Sequence, residues 1–411
     1  MSSSIPPLTT IYFTDLSFSS SGGDDPSSVP LIGIDSQTFN VNQTFRGMKL
    51  IPPGLHIIHF AQTSSSVKYG ICLFTSRQLL LSRYNSQIED FELRSVDDQQ
   101  QFEMMTESLG HDYNFMVGYN SIMTDDRCVS WSVLTDHITA SILDKVIVLP
   151  RGATKRLGWK VCTVTSSTEE NKILLSELKR TTPDTDYSTL IDDSESLFNF
   201  PAIETKITYR PNATDSEKTT DCLDKSWYFE NIVLSTSGFK HLQEFFGQFQ
   251  FCYLMVWLFG NYAAARQYNN MLKVYSDSKQ FISDKPTDLR KFLMLLEQQF
   301  TLISEEYFNF DTDMIDVRNV IGAIKSFQSI ISELGDKKTY MKRSLNEDLM
   351  KVKNVLIDRF EDINEDSFEV PQDFEDNENY LKNLDGSLQY YIDEDDEDAP
   401  VVVTGIEWDE C

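Results

Sequence analysis

The sequence predicts an α+β multidomain protein with a β-rich N-terminal part, a helical second part and an acidic C-terminal tail. Short β-branched and aromatic runs, broken by turn residues, fill the stretch from Leu8 to Thr165. From Asp221 to Phe360 apolar residues recur at helical spacing. After Phe360, 19 acidic residues stand beside a single basic one, Lys382. With 411 residues, 40% of them hydrophobic, the chain has enough apolar material for sizeable cores and is expected to form more than one domain.

Residues 1–7 are expected to be disordered, and they carry neither the charged nor the apolar stretch of a secretory signal. No two of the six cysteines are in CxxC spacing, so the thiols are expected to be reduced, in cytosol or nucleus. Within the β-rich part, residues 8–165, Ile11–Phe18, Leu31–Ile34, Thr38–Val41 and Leu55–Phe60 read as strands, with a turn at Ile51-Pro-Pro-Gly54. Tyr69–Phe74 and Leu79–Tyr84 are expected to pair as a hairpin, and the pattern turns helical after Tyr84. Ser130 reads as the start of a capped helix.

Residues 166–220 read as a polar linker, with Glu204–Tyr209 as an extended piece that could dock on a domain. Residues 221–360 form the helical part: Leu289, Phe292, Leu293, Leu296 and Phe300 share one helix face, and Leu345, Leu349, Val352 and Leu356 mark the last helix. The 21 residues from Phe245 to Ala265 carry no charge. Gln248, Gln250 and Asn261 interrupt them, which favours a central buried helix over a membrane span. Residues 361–411 are the acidic tail, ending in a strand-forming segment.

Charge and motifs narrow the function. The net charge is −28; the tail supplies −18 of it, leaving −10 on the first 360 residues. No basic cluster stands out, which argues against direct nucleic-acid binding and against an anionic membrane surface. A basic protein surface is the natural partner for the tail. No phosphate loop, GxSxG elbow or HExxH motif occurs, so no catalytic residue, cofactor or metal is assigned and the chain reads as a non-enzyme. His56 and His59 spell HxxH, but on a strand residues three apart face opposite ways, so they read as ordinary strand histidines. Ser276 and Ser278, flanking Asp277, are candidate phosphosites, because a phosphate there could repel or reorder a contact surface.

The sharpest feature is Pro400-Val401-Val402-Val403-Thr404. A β-branched run of this kind needs a sheet edge, with Val401 and Val403 on one face and Val402 and Thr404 on the other. Its destination is a partner's sheet, this chain's own β-rich part, or none. The run Asp393-Glu394-Asp395-Asp396-Glu397-Asp398 before it supplies reach and electrostatic steering.

Several stretches together resemble one family, the AAR-two splicing factors. They are Gly33-Ile-Asp35, Phe45 through His59, Trp131–Thr135, Leu223-Asp-Lys-Ser226, Gly247–Phe251, Phe259-Gly-Asn-Tyr262 and Glu397–Val403, in the family's order along the chain. The resemblance implies a β-sandwich-like N-terminal domain and a helical domain similar to VHS domains. It implies a non-enzymatic assembly chaperone of the U-five small nuclear ribonucleoprotein, monomeric within a heteromeric complex. Such a chaperone clamps the RNase H-like and Jab/MPN-like domains of the large spliceosomal scaffold, processing factor eight, and delays helicase or RNA engagement until nuclear maturation. The resemblance further implies a cytoplasmic protein that shuttles to the nucleus, release linked to phosphorylation, and a tail strand that bridges the scaffold domains. The alternative from a different class is a cargo or trafficking adaptor built on a VHS-like helical domain.

Overall fold

The computed structural model describes residues 8–14, 31–42, 44–63, 66–85, 90–96, 110–119, 131–148, 157–182, 196–235, 239, 241–310, 314–335 and 339–369. The described residues up to Phe368 belong to one compact unit; the C-terminal tail lies outside the described residues apart from Glu369.

Two five-stranded sheets make the N-terminal half. The first has the order β8 (Asp90–Ser95), β7 (Leu79–Asn85), β1 (Thr9–Thr14), β4 (Gly47–Ile51), β9 (Met116–Gly118). The second has the order β11 (Trp159–Cys162), β6 (Tyr69–Thr75), β5 (Gly54–Ala61), β2 (Leu31–Ile34), β3 (Gln37–Asn40), antiparallel throughout. Ile11, Phe13, Met48 and Leu80 from the first sheet meet Ile32, Ile58, Phe60 and Leu73 from the second in one buried cluster, so the sheets face each other as a sandwich. Two short strands, β10 (Ile147–Val148) and β12 (Leu197–Phe198), pair separately.

The expected hairpin of Tyr69–Phe74 with Leu79–Tyr84 does not form. β6 and β7 belong to opposite sheets, and the three residues Ser76–Gln78 carry the chain over the edge of the sandwich. Two apolar strands with a short spacer look the same in sequence whether they make a hairpin or an arch. The chain after Tyr84 is also not first helical: β8 pairs antiparallel with β7, Leu80 opposite Ser95.

Helices follow as α1 (Trp131–Thr135), α2 (Ala140–Val146), α3 (Thr168–Thr181), α4 (Asp215–Leu223), α5 (Ser226–Tyr228, continuing as a π-helical turn to Val233), α6 (Leu242–Phe259), α7 (Tyr262–Ser276), α8 (Lys279–Asp284), α9 (Pro286–Leu302), α10 (Val317–Glu333) and α11 (Thr339–Arg359). The uncharged stretch is α6 and the start of α7. All but three of α6's 18 residues are buried, and no helix among the described residues is long and apolar enough to cross a membrane. Gly247 brings α6 against the chain at His137, whose carbonyl oxygen would lie 2.2 Å from an added Cβ. Gln250, polar inside this helix, accepts from the His137 amide at 3.0 Å and donates to the Val133 carbonyl at 2.9 Å, so its burial leaves neither end of its amide orphaned.

The sandwich and the helices are not separated by a polar linker. Leu55, Ile57, Cys72 and Val161, on the outer face of the second sheet, belong to the same buried cluster as α6, α7, α9, α10 and α11. The 166–220 segment takes part in it. Phe198 is fully buried and meets Phe251 edge-on at 5.6 Å. Glu204–Tyr209 docks as expected, though not as a strand: the Glu204 amide donates to the Tyr228 hydroxyl and the Thr208 hydroxyl to the Asp221 carbonyl. A segment polar on average can still supply one large aromatic anchor, and average composition hides it.

Candidate interaction surfaces

The HxxH histidines sit on β5 and face opposite ways. Both are buried, and each has a structural partner. His56 points into the sandwich, where Asp35 is the hub. Asp35 takes a left-handed turn between β2 and β3 (φ 54°) and gathers three strands. Its Oδ1 accepts the Ile57 amide at 2.8 Å; its Oδ2 meets His56 Nδ1 at 2.6 Å and accepts the Tyr119 hydroxyl at 2.7 Å. His56 Nε2 reaches the Pro52 carbonyl at 2.9 Å. Burial, with the Asp35 charge behind it, pushes the Tyr119 phenol well up. His59 faces the helices, its ring edge-on to Phe259 at 6.3 Å and its Nε2 at 3.2 Å from the Asp35 carbonyl. Burial pulls its pKa down to about 4, so it is neutral at physiological pH. Among the described residues no group of three or more His, Cys, Asp or Glu could hold a metal ion.

The junction between sandwich and helices turns on Phe259-Gly-Asn-Tyr262. Gly260 closes α6 in the left-handed conformation (φ 59°), where a side chain would be strained. Asn261 caps α7 by accepting the Ala264 amide at 2.9 Å. Its amide nitrogen donates back into the turn after β11, lying 3.3, 3.0 and 2.8 Å from the carbonyls of Cys162, Thr163 and Thr165. Lys68, from the loop before β6, donates to the Leu258 carbonyl at 3.2 Å, a cation at the negative end of α6. Phe259 fits over β6 because Gly70 has no Cβ there; an added one would lie 2.3 Å from the ring.

Leu223-Asp-Lys-Ser226 has an equally definite task. Asp224 accepts the amides of Ser226, Lys279 and Gln280, holding the starts of α5 and α8 together. Lys225, buried, pairs with Asp277 at 2.6 Å. Next to it, Ser276 and Ser278 are both buried. Their hydroxyls donate to Lys273 and Val274 carbonyls, and the Ser276 carbonyl accepts Ser326. In this fold both hydroxyls, expected as candidate phosphosites, are turned inward and away from solvent.

The tail candidates, Pro400–Thr404 and Asp393–Asp398, lie outside the described residues. Two other surfaces stand out that sequence reasoning did not find. Helix α3 begins with a capping box, Ser167 with Glu170, yet none of its 14 residues is buried; Ile173 and Leu174 are 42% and 51% exposed. On α9 and α11, Met294, Tyr340 and Met350 are exposed among cations. The capping box was readable in the sequence; the exposure of these apolar side chains was not.

A sandwich and a helical layer on a shared core define a mixed α/β protein, and its two halves match two models of one family. Residues 24–148 match the AAR2 N-terminal domain, and residues 200–363 match the AAR2 C-terminal repeat region. The chain belongs to the AAR2 family. Over 288 residues it is 28% identical to the A1 cistron-splicing factor AAR2 of Saccharomyces cerevisiae, covering 68% of this chain and 78% of that one. Over 115 residues it is 27% identical to the protein AAR2 homolog of Caenorhabditis elegans, covering 28% of this chain and 30% of the relative.

Proposed function

We propose that this chain is a splicing factor that works as a non-enzymatic assembly chaperone of the U-five small nuclear ribonucleoprotein. It clamps the RNase H-like and Jab/MPN-like domains of the large spliceosomal scaffold protein, delays helicase and RNA engagement, and moves between cytoplasm and nucleus. One observation carries the reading: the match to AAR2 models in both halves, with most of a relative named as a splicing factor covered. The tail supports it through its chemistry. Pro400–Thr404 is a β-branched, pairing-prone sequence behind six consecutive carboxylates, suited to adding onto a partner's sheet after electrostatic approach.

Pull-down of the tagged full chain from cytosolic and nuclear extracts tests it. Recovery of the scaffold protein, weakened by deleting residues 400–411 and by Val402→Pro, is the expected result. Proline removes a ladder donor and is tolerated only at sheet edges and bulges. Recovery of vesicle-coat components without the scaffold would replace this reading with the adaptor one.

A further inference from the structure

Helices α9 and α11 present a face unlike the rest of this acidic chain. Between residues 339 and 353, on α11, there are four Lys or Arg and two acidic residues, Glu347 and Asp348. Asp348 is buried and already used. Its carboxylate bonds Arg290 of α9 at 2.9 Å and Lys351 at 3.1 Å. Arg343 and Glu347 pair along the outside of α11 at 3.0 Å. Three large side chains with apolar surface stand exposed around these charges: Met294, one turn along α9 from Arg290, at 45%, Tyr340 at 86% and Met350 at 56%. The outer side of α11 forms an open concavity of about 610 Å³ that includes Lys342, Arg343 and Met350.

Tyr, Met and Arg are the residue types enriched at protein contact surfaces, and Tyr and Arg are the ones that most often carry binding energy. Methionine adds an adaptable apolar surface. The sign of the local charge selects the partner. At physiological salt, charges more than about 8 Å away are largely screened, so a docked segment responds to the cations beneath it and not to the −28 of the whole chain. An RNA strand would need an unbroken basic stripe, and Glu347 interrupts this one.

We propose that the α9–α11 face is a protein-docking surface and that its occupant is an acidic segment of a partner protein carrying apolar anchors. The anchors cover Tyr340, Met350 and Met294, and the carboxylates meet Arg343, Lys342 and Lys351. Glu347 keeps the partner's acids to either side of itself. The proposal stands apart from the assembly-chaperone reading, because it rests on this face alone.

Fluorescence anisotropy with the full chain tests it. The probe is a labelled peptide with two leucines and one tyrosine among six glutamates, at physiological salt; the control carries glutamines in place of the glutamates. The acidic probe should bind about tenfold or more tighter than the control and weaken as salt rises. Arg343→Glu with Lys351→Glu should weaken it at least about tenfold, and Tyr340→Ala about threefold or more. These side chains are exposed, and an unchanged circular dichroism spectrum checks that the variants fold. Three results would overturn the proposal: equal binding of probe and control, charge-reversed variants that bind like the wild type, or displacement of the probe by a single-stranded RNA oligonucleotide. Self-association abolished by Tyr340→Ala would equally overturn it, by assigning the face to a second copy of the chain.

Discussion

Helices α6 and α3 are both well-formed, and they have opposite relations to the rest of the molecule. α6 is buried on nearly every side and closes with a left-handed glycine, Gly260. α3 buries nothing. It is held by its capping box, by Glu169 and Glu170 in its first turn and Lys179 and Arg180 in its last, and by the i,i+3 pair of Arg180 with Glu177 at 2.9 Å. One helix exists because of its surroundings, the other through its own local chemistry. The contrast separates residues that hold the fold from residues left over for contact, and each substitution below falls on one side of that line.

The largest effect belongs to α6. Phe251→Ala removes a fully buried ring that meets Phe198 from the 166–220 segment. It should cost about 3–5 kcal/mol. Because sheet, segment and helices share one core, urea should unfold the variant and the wild type in a single transition by both tryptophan fluorescence and circular dichroism. Separate transitions for a sheet-rich and a helical fragment would mean that the shared core is not cooperative.

His59 tests the same contact from the sheet side through pH. Burial lowers its folded-state pKa to about 4, against 6.5 for an ordinary histidine. The unfolded chain takes up a proton that the folded chain refuses, so this contribution is complete above pH 6.5 and is lost as the pH falls toward 4. Between pH 7.5 and 4.5 the wild type should lose about 2–3 kcal/mol more than His59→Gln. Parallel losses in the two proteins would show that His59 is not the group responsible.

Asn261→Ala attacks the junction without emptying the core. It removes the cap of α7 and the donor facing three carbonyls of the β11 turn. About 2 kcal/mol should be lost, since the Cys162 carbonyl keeps the Thr165 amide as a donor and two of the three contacts are only partly buried. Asn261→Asp keeps the cap but turns a carboxylate oxygen onto those carbonyls in a buried place, so it should cost at least as much as alanine. A variant as stable as the wild type would mean that apolar packing alone joins the two halves.

Much of this could be read from the residues. The central helix followed from a run without charge, and most strands followed from alternation between turn residues. What escaped depended on residues far apart in sequence. Asp35 meets His56 and Tyr119, 21 and 84 residues away, and nothing local marks it as a hub. Phe198 is one aromatic anchor in a polar stretch, so averaging over the stretch erased it. The arch between β6 and β7 has the same spacing as a hairpin, and only the partner strand, β1, distinguishes them. Ser276 and Ser278 read as candidate phosphosites, and polarity in sequence does not tell a buried serine from an exposed one. Their hydroxyls donate back to carbonyls within three or four residues, which lets serine be buried at little cost.

The smallest effect belongs to α3, and it sharpens the comparison most. Leu174 and Leu178 lie four residues apart and so share a face of this helix, yet neither is buried. Leu174→Ser with half-buried Leu178→Ser should change unfolding free energy by no more than about 0.5–1 kcal/mol per site, the cost of weaker helix propensity with little packing to lose. The same pair of changes inside α6 would be ruinous. If the double variant keeps its stability but recovers less scaffold protein in the pull-down, α3 is a contact surface that the fold does not need for itself. If it unfolds several kcal/mol more easily, α3 packs against something in the intact chain, and the two helices differ less than their burial indicates.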